Sequence, residues 1–250
     1  MTDLVLATAP LLAPGTVVSH TSAALLHGLP TEAALRHPVW TIRTRSHGGP
    51  SGVVRASDAR VSDDEVVEIR GVPVTSLART VIDLARTRPF DWGVAVADAA
   101  LRHGLTREEL EDAAVRAAGV PGIVRGRSVV RFADVRSESV GESRSRALMR
   151  QQGLPDPELQ EEVWFGGVLV GRPDFRWRDH RTVGEFDGKA KYGALVPSGR
   201  TAADVIMAEK DREERFREAG WWVVRWGWHD LADASALALR IRRAFGHATR

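Results

Sequence analysis

Two turns in the second half of the chain constrain its folding more than any other feature. Gly166-Gly167 separates two runs rich in Val, Leu and aromatic residues, which is the signature of a two-residue hairpin. Arg178-Asp-His-Arg181 is a second polar turn between Val168–Trp177 and Thr182–Asp187. A symmetric turn there places Trp177 opposite Thr182, Phe175 opposite Gly184 and Asp174 opposite Glu185. Strand side chains alternate, so Asp187 shares the face of Glu185. Three carboxylates are thereby expected on one face of a sheet. Directly opposed like charges repel at about 5 Å between Cβ atoms, so a cation or a shared proton is the expected remedy. Arg172 and Arg176 share parity with Asp174, and simple ion pairing by them is the plain alternative.

The remaining pattern sets these strands in a longer order. The second half reads as helix (139–152), strands (158–165, 168–177, 182–187), helix (203–219), strand (221–226) and final helix (235–245). The first half reads as a short helix from His20 stopped by Gly28, then β-branched strands at 39–43, 53–56, 66–69 and 72–74. Helices follow: one capped by Ser76, an alanine-rich one over 91–102, one opened by the capping box Thr106-Arg-Glu-Glu109, and one over 123–135. The fold class expected is α/β, with a boundary in the polar junction Arg136-Ser-Glu-Ser139. The loop 191–199 is the segment expected to be mobile.

Composition excludes several functions. The chain has no cysteine, so disulfides, thiol nucleophiles and cysteine-ligated zinc are absent. The run Leu4–Val18 carries two prolines and is too short to span a bilayer, and a cytoplasmic setting without a membrane partner is expected. The 35 basic residues nearly balance the 33 acidic ones, so charge alone announces no partner. Of the basic residues only Lys189, Lys191 and Lys210 are lysine, all between Glu185 and Arg215. A compact ammonium can approach one oxygen in a way that Arg reproduces poorly. There is no Ser-His-Asp elbow or phosphate-binding glycine loop to suggest small-molecule chemistry. His20 and His27 lack partnering ligands and read as core or helix-surface histidines. Half of the eight tryptophans, Trp221, Trp222, Trp226 and Trp228, crowd one strand and its exit, where core packing is expected.

Pro173-Asp174 and Glu185-Phe-Asp187-Gly188, preceded by a helix bearing Glu142 and followed by Arg212-Glu213 and Gly220-Trp221, resemble the PD-(D/E)XK restriction-endonuclease-like superfamily, in its very-short-patch-repair-type branch. The resemblance implies a restriction-endonuclease-like α-β-β-β-α-β core over 137–250 with a mixed sheet. It implies a metal-dependent DNA endonuclease using Mg²⁺ or Mn²⁺, with metal ligands Asp174, Glu185 and Asp187 and Glu142 as a supporting acid. Asp187 occupies the motif's lysine position, so Lys210 or Lys189 would supply that charge. Lys210 continues the helical stripe of Ala203, Ile206 and Met207 and should face the sheet. Arg144, Arg212 and Tyr192 are the expected nucleic-acid contacts.

In the first half, Val18-Ser-His-Thr-Ser-Ala-Ala-Leu-Leu-His-Gly28 and Gly71–Ala85 resemble the region that follows the winged helix in abortive-infection-type (type IV) antitoxins. The implied α+β domain spans 1–136 without a complete winged helix, because Val18 lies too near the start of the sequence. It implies a protein partner or a regulatory role for this half. Two readings result: a DNA endonuclease with an antitoxin-like accessory domain, or a catalytically silent DNA- or protein-binding regulator of toxin–antitoxin type.

Overall fold

A computed structural model describes residues 2–32, 38–43, 53–57, 59–188 and 202–248. The chain is mixed α/β and divides into two compact units, Met1–Val135 and Arg136–Arg250. Among the described residues no helix is long and apolar enough to cross a membrane.

The first unit opens with α1 (Thr2–Thr8), β1 (Thr16–Val18) and α2 (His20–Leu26), followed by β2 (Val39–Arg43), β3 (Val54–Ser57), β4 (Val66–Ile69) and β5 (Val72–Thr75). The strands form one sheet in the order β3-β2-β1-β5-β4. Arg70 and Gly71, at φ 53° and 76°, make the tight turn between β4 and β5 that two successive left-handed residues allow. Four helices follow: α3 (Leu77–Thr87), α4 (Phe90–Arg102), α5 (Arg107–Arg116) and α6 (Ile123–Phe132). Ser76 caps α3 by accepting the Arg79 N–H, and Thr106 with Glu109 forms the capping box expected at α5. Gly93 lets α4 approach closely: a Cβ there would lie 3.0 Å from Val129 and 3.3 Å from the Ala85 backbone.

The second unit contains α7 (Val140–Gln151), β6 (Glu158–Leu159), β7 (Val163–Phe165), β8 (Val168–Gly171), β9 (Phe175–Trp177), β10 (Thr182–Asp187), α8 (Ala202–Glu218), β11 (Trp222–Gly227) and α9 (Ala234–Ala248). The main sheet runs β11-β10-β9-β6, with β10 parallel to β11 and antiparallel to β9. The β9–β10 register is the expected one, Trp177 with Thr182 and Phe175 with Gly184. Two long strands of the sequence reading are each broken. Gln160, at φ 55°, turns the chain between β6 and β7, and Pro173, which has no N–H to give a ladder, separates β8 from β9. β7 and β8 form a separate two-stranded sheet around Gly166 and Gly167, at φ 58° and 80°.

Side-chain alternation gives the main sheet two different cores. Phe175, Trp177 and Trp226 pack with Met149 of α7 and with Leu237 and Ile241 of α9. Val183 packs with Phe216 and Ala219 at the end of α8 and with Val163 and Val170 of the hairpin. Deep core is the fate of Trp226 alone among the four clustered tryptophans, since Trp222 and Trp228 are more than two-fifths exposed. Trp222 stacks on His247, and Trp228 meets Phe186 edge-on.

Candidate functional site

Glu142 is set at the start of α7 by local capping. Ser139 Oγ accepts the Glu142 N–H at 3.1 Å, and Glu142 Oε2 reaches back to accept the Glu138 N–H at 2.8 Å. The side chain is buried. Gln160 lies beside it because the left-handed turn after β6 aims its amide inward. Its single Nε2 donates to Glu142 Oε2 at 3.1 Å and to Asp174 Oδ1 at 3.3 Å. Asp174 precedes β9, one residue beyond the last β9–β10 pair. There its Oδ2 accepts the Phe186 N–H at 2.7 Å, so the carboxylate replaces the partner carbonyl that the ended ladder no longer supplies.

Two acids thus share one amide, and both are pushed above the ordinary carboxylate range. Burial is the main cause for Glu142, with the Asp174 charge adding to it and the Ser139, Glu138 and Gln160 contacts opposing it. Burial is also the main cause for Asp174, opposed by the Phe186 N–H, Gln160 and the Arg212 charge.

Glu185 is held differently. It sits on β10 with the parity of Val183, on the side of the sheet that α8 covers. Its Oε1 lies 2.7 Å from Arg212 Nη2, reaching in from α8, and its Oε2 lies 3.1 Å from Arg225 Nη2 on β11. Arg225 is the direct cross-strand partner of Glu185. The Arg212 guanidinium also donates to the Arg172 carbonyl at 3.2 Å. The arginines expected beside Asp174 turn elsewhere: Arg172 pairs with Glu138 at 2.8 Å and Arg176 with Glu158 at 2.5 Å. Ion pairing operates at this site, but on Glu185 and through Arg212 and Arg225.

These contacts decide how well the residues fit a divalent cation. Among the described residues no group of three or more His, Asp or Glu side chains is arranged to hold a metal ion. Both Glu185 oxygens face guanidinium groups, and both Asp174 oxygens accept hydrogen bonds. As arranged, the donor set does not fit Mg²⁺ or Mn²⁺, because two arginines already supply the positive charge that an ion would bring. Asp187, the last residue of β10, is half-buried and pairs along the ladder with Gly227.

Of the other residues singled out from the sequence, Arg144 is half-buried on α7. Lys189 and Tyr192 lie outside the described residues, as do Lys191 and the loop 191–199. Lys210 does not follow the expected packing stripe: it is exposed, and Met207 one turn before it is 60% exposed. Among the residues of this segment whose side chains are described, Phe216 and, just past the helix end, Ala219 pack into the core, and Arg212 reaches Glu185, whereas Lys210 and Met207 face solvent. Gln160 and Arg225 escaped the sequence reading. Nothing local marks a glutamine for a left-handed turn, and Arg225 reaches Glu185 only through a parallel pairing between strands distant in sequence.

In the first unit His20 lies in the core, one of the two settings expected, and His27 is half-buried with its ring bonded to the backbone. His20 is buried, at φ 51°, with Nδ1 3.0 Å from Ser19 Oγ and its ring stacked on Trp40. His27 Nε2 donates to the Thr75 carbonyl at 2.7 Å. The fold of this unit meets a known family. Residues 16–132 match the family model of the AbiEi antitoxin C-terminal domain. The matched segment takes in all five strands of the first sheet and helices α2 to α6. Over 177 residues, 70% of this chain, the sequence is 33% identical to two uncharacterized proteins of Mycobacterium tuberculosis, MT2308 (strain CDC 1551 / Oshkosh) and Rv2248 (strain ATCC 25618 / H37Rv). The match spans 62% of the length of those relatives. No solved structure matches.

Proposed function

We propose that the chain is a regulator of toxin–antitoxin type, with DNA or a protein as its partner, whose second unit keeps a nuclease-like frame without cutting. The observation that carries the reading is the antitoxin family match across 16–132. The pairing of Glu185 with Arg212 and Arg225 supports the silence of the second unit, since a carboxylate so neutralised has no need of a metal ion. The test has two arms. Co-expression should relieve the growth arrest caused by a cognate toxin, and variants that unfold the first unit should lose that relief. Purified protein incubated with plasmid and Mg²⁺ or Mn²⁺ should leave the DNA uncut.

One observation favours the alternative, a metal-dependent DNA endonuclease. Buried Glu142 and half-buried Asp174 are acids brought together by Gln160, an arrangement that costs stability and calls for a reason. That reading requires Arg212 to leave Glu185 when DNA binds. Metal-dependent cutting that disappears in both Asp174→Ala and Glu185→Ala would establish it over the silent regulator.

A further inference from the structure

A cavity of about 670 Å³ opens in the first unit between the segment before β4, helix α3 and the turn after α5. That size lies within the range of about 300–1,000 Å³ found for small-ligand pockets. Four arginines line it, Arg60, Arg79, Arg86 and Arg116, against two acids, Glu65 and Asp83.

The inner charges form a fixed frame. Asp83 is 1% exposed and receives Arg79 Nε at 3.1 Å on one oxygen and Arg86 Nε and Nη2 at 3.0 and 2.9 Å on the other. Arg79 spends its other nitrogens on Glu65 at 2.7 Å and on the Arg60 carbonyl at 3.1 Å. It is a strut, with all three of its nitrogens engaged in the frame. Behind Arg86 stands His20, whose Nε2 is 3.5 Å from Arg86 Nη2. The His20 backbone is left-handed, a conformation that costs a non-glycine residue of order 1 kcal/mol or more and persists only where its surroundings enforce it.

What remains for a ligand is positive. Arg86 Nη1 has no hydrogen-bond partner among the described residues, and Arg60 and Arg116 are exposed at the rim. Four arginines less two acids leave a surplus of two positive charges in the lining. The nearby Asp64 lies outside the lining, is engaged by Ser62 and interacts with the charge of Arg116, which offsets part of that surplus. Val61, Val120 and Pro121 give the same cavity an apolar wall. Planar guanidinium forks match phosphate oxygens, and a phosphomonoester carries a charge of about −1.5 to −2 at pH 7.

We propose that this cavity binds a small phosphomonoester, its phosphate on Arg86, Arg60 and Arg116 and its apolar body against the Val61–Val120–Pro121 wall. The site belongs to the first unit alone and does not depend on whether the second unit cuts DNA.

Titration of the full chain with phenyl phosphate and, separately, inorganic phosphate tests it. Phenyl phosphate should bind saturably at one site, several-fold tighter than inorganic phosphate because its ring covers the apolar wall. The double variant Arg60→Gln/Arg116→Gln leaves the Arg60 carbonyl and the Asp83 frame in place, and should weaken phenyl phosphate at least tenfold. Arg243→Gln, at an exposed position of α9, should leave it unchanged. No saturable binding would overturn the proposal, as would a double variant that binds like wild type or an Arg243→Gln variant weakened to the same degree. Displacement of phenyl phosphate by short duplex DNA would overturn it too, by showing that these arginines serve a nucleic-acid face.

Discussion

Glu185 and Arg225 stand directly opposite each other on the parallel strands β10 and β11, and a 3.1 Å ion pair closes that relationship. Glu185 is mostly buried and depends on this guanidinium and on that of Arg212. Arg225→Ala should destabilise the second unit by about 1–3 kcal/mol, since a charge left short of a partner costs more than the pair contributes. Glu185→Gln in the same chain should recover part of the loss. Urea unfolding of the two single variants and the double variant gives the coupling, and additive effects would show that the pair does not interact.

The Glu142 and Asp174 carboxyls have pKa values above their ordinary ones, so the native state holds protons that the unfolded chain has lost. Their favourable contribution is complete below the ordinary carboxylate range and is lost as pH rises through the raised values. Stability of the second unit should therefore fall with pH across that window. Glu142→Gln retains an oxygen for the Glu138 N–H and the Gln160 amide while removing a charge, and should flatten the slope and raise stability at neutral pH. Thermal unfolding followed against pH in both proteins checks this, and parallel curves would count against it.

Gly184 lies between two tryptophans. A Cβ at this position would be 2.5 Å from the Trp226 ring and 3.1 Å from the Trp177 ring. Gly184→Ala should cost about 1–3 kcal/mol through forced repacking, visible as a lower unfolding temperature and an altered near-UV signal from the tryptophans.

Gly122 combines a left-handed φ of 84° with a Cβ direction that meets the Arg86 carbonyl oxygen at 2.4 Å. Gly122→Ala should destabilise the first unit by about 1–3 kcal/mol, because it strains the entry to α6 and pushes against backbone that a rotamer change cannot move. Urea unfolding of the variant and the wild-type chain measures the difference.

What the sequence disclosed was whatever a few neighbouring residues decide. Gly166-Gly167 marks a turn through its backbone freedom, and Thr106 with Glu109 marks a helix start through two reciprocal hydrogen bonds. The β9–β10 register follows from the turn that joins the strands. The failures are long-range or depend on one unusual backbone angle. The hairpin β7–β8 separates from the sheet because Gln160 turns left-handed, which its identity does not announce. Apolar spacing placed Lys210 on a packing stripe with Met207, yet both are exposed, and Phe216 farther along α8 is the buried residue. At the site, the carboxylates could be listed from the sequence, but the arginines that neutralise one of them could not. Pairing Glu185 with Arg225 requires knowing that β11 lies parallel to β10 on the side away from β9.

The parallel pairing of β10 with β11 also dictates an order of assembly. During synthesis Glu185 leaves the ribosome before Arg212 and well before Arg225. Until both have emerged, closing the sheet over that acid would strand an uncompensated charge in the interior. A chain truncated before β11 would keep α8 over Val183 but would leave the edge of β10 unpaired and the Phe175–Trp177 face without Trp226 and α9, open to solvent and to proteases. The strand that completes the sheet thus also brings the second guanidinium for Glu185, so sheet closure and charge compensation are finished by the same segment of chain.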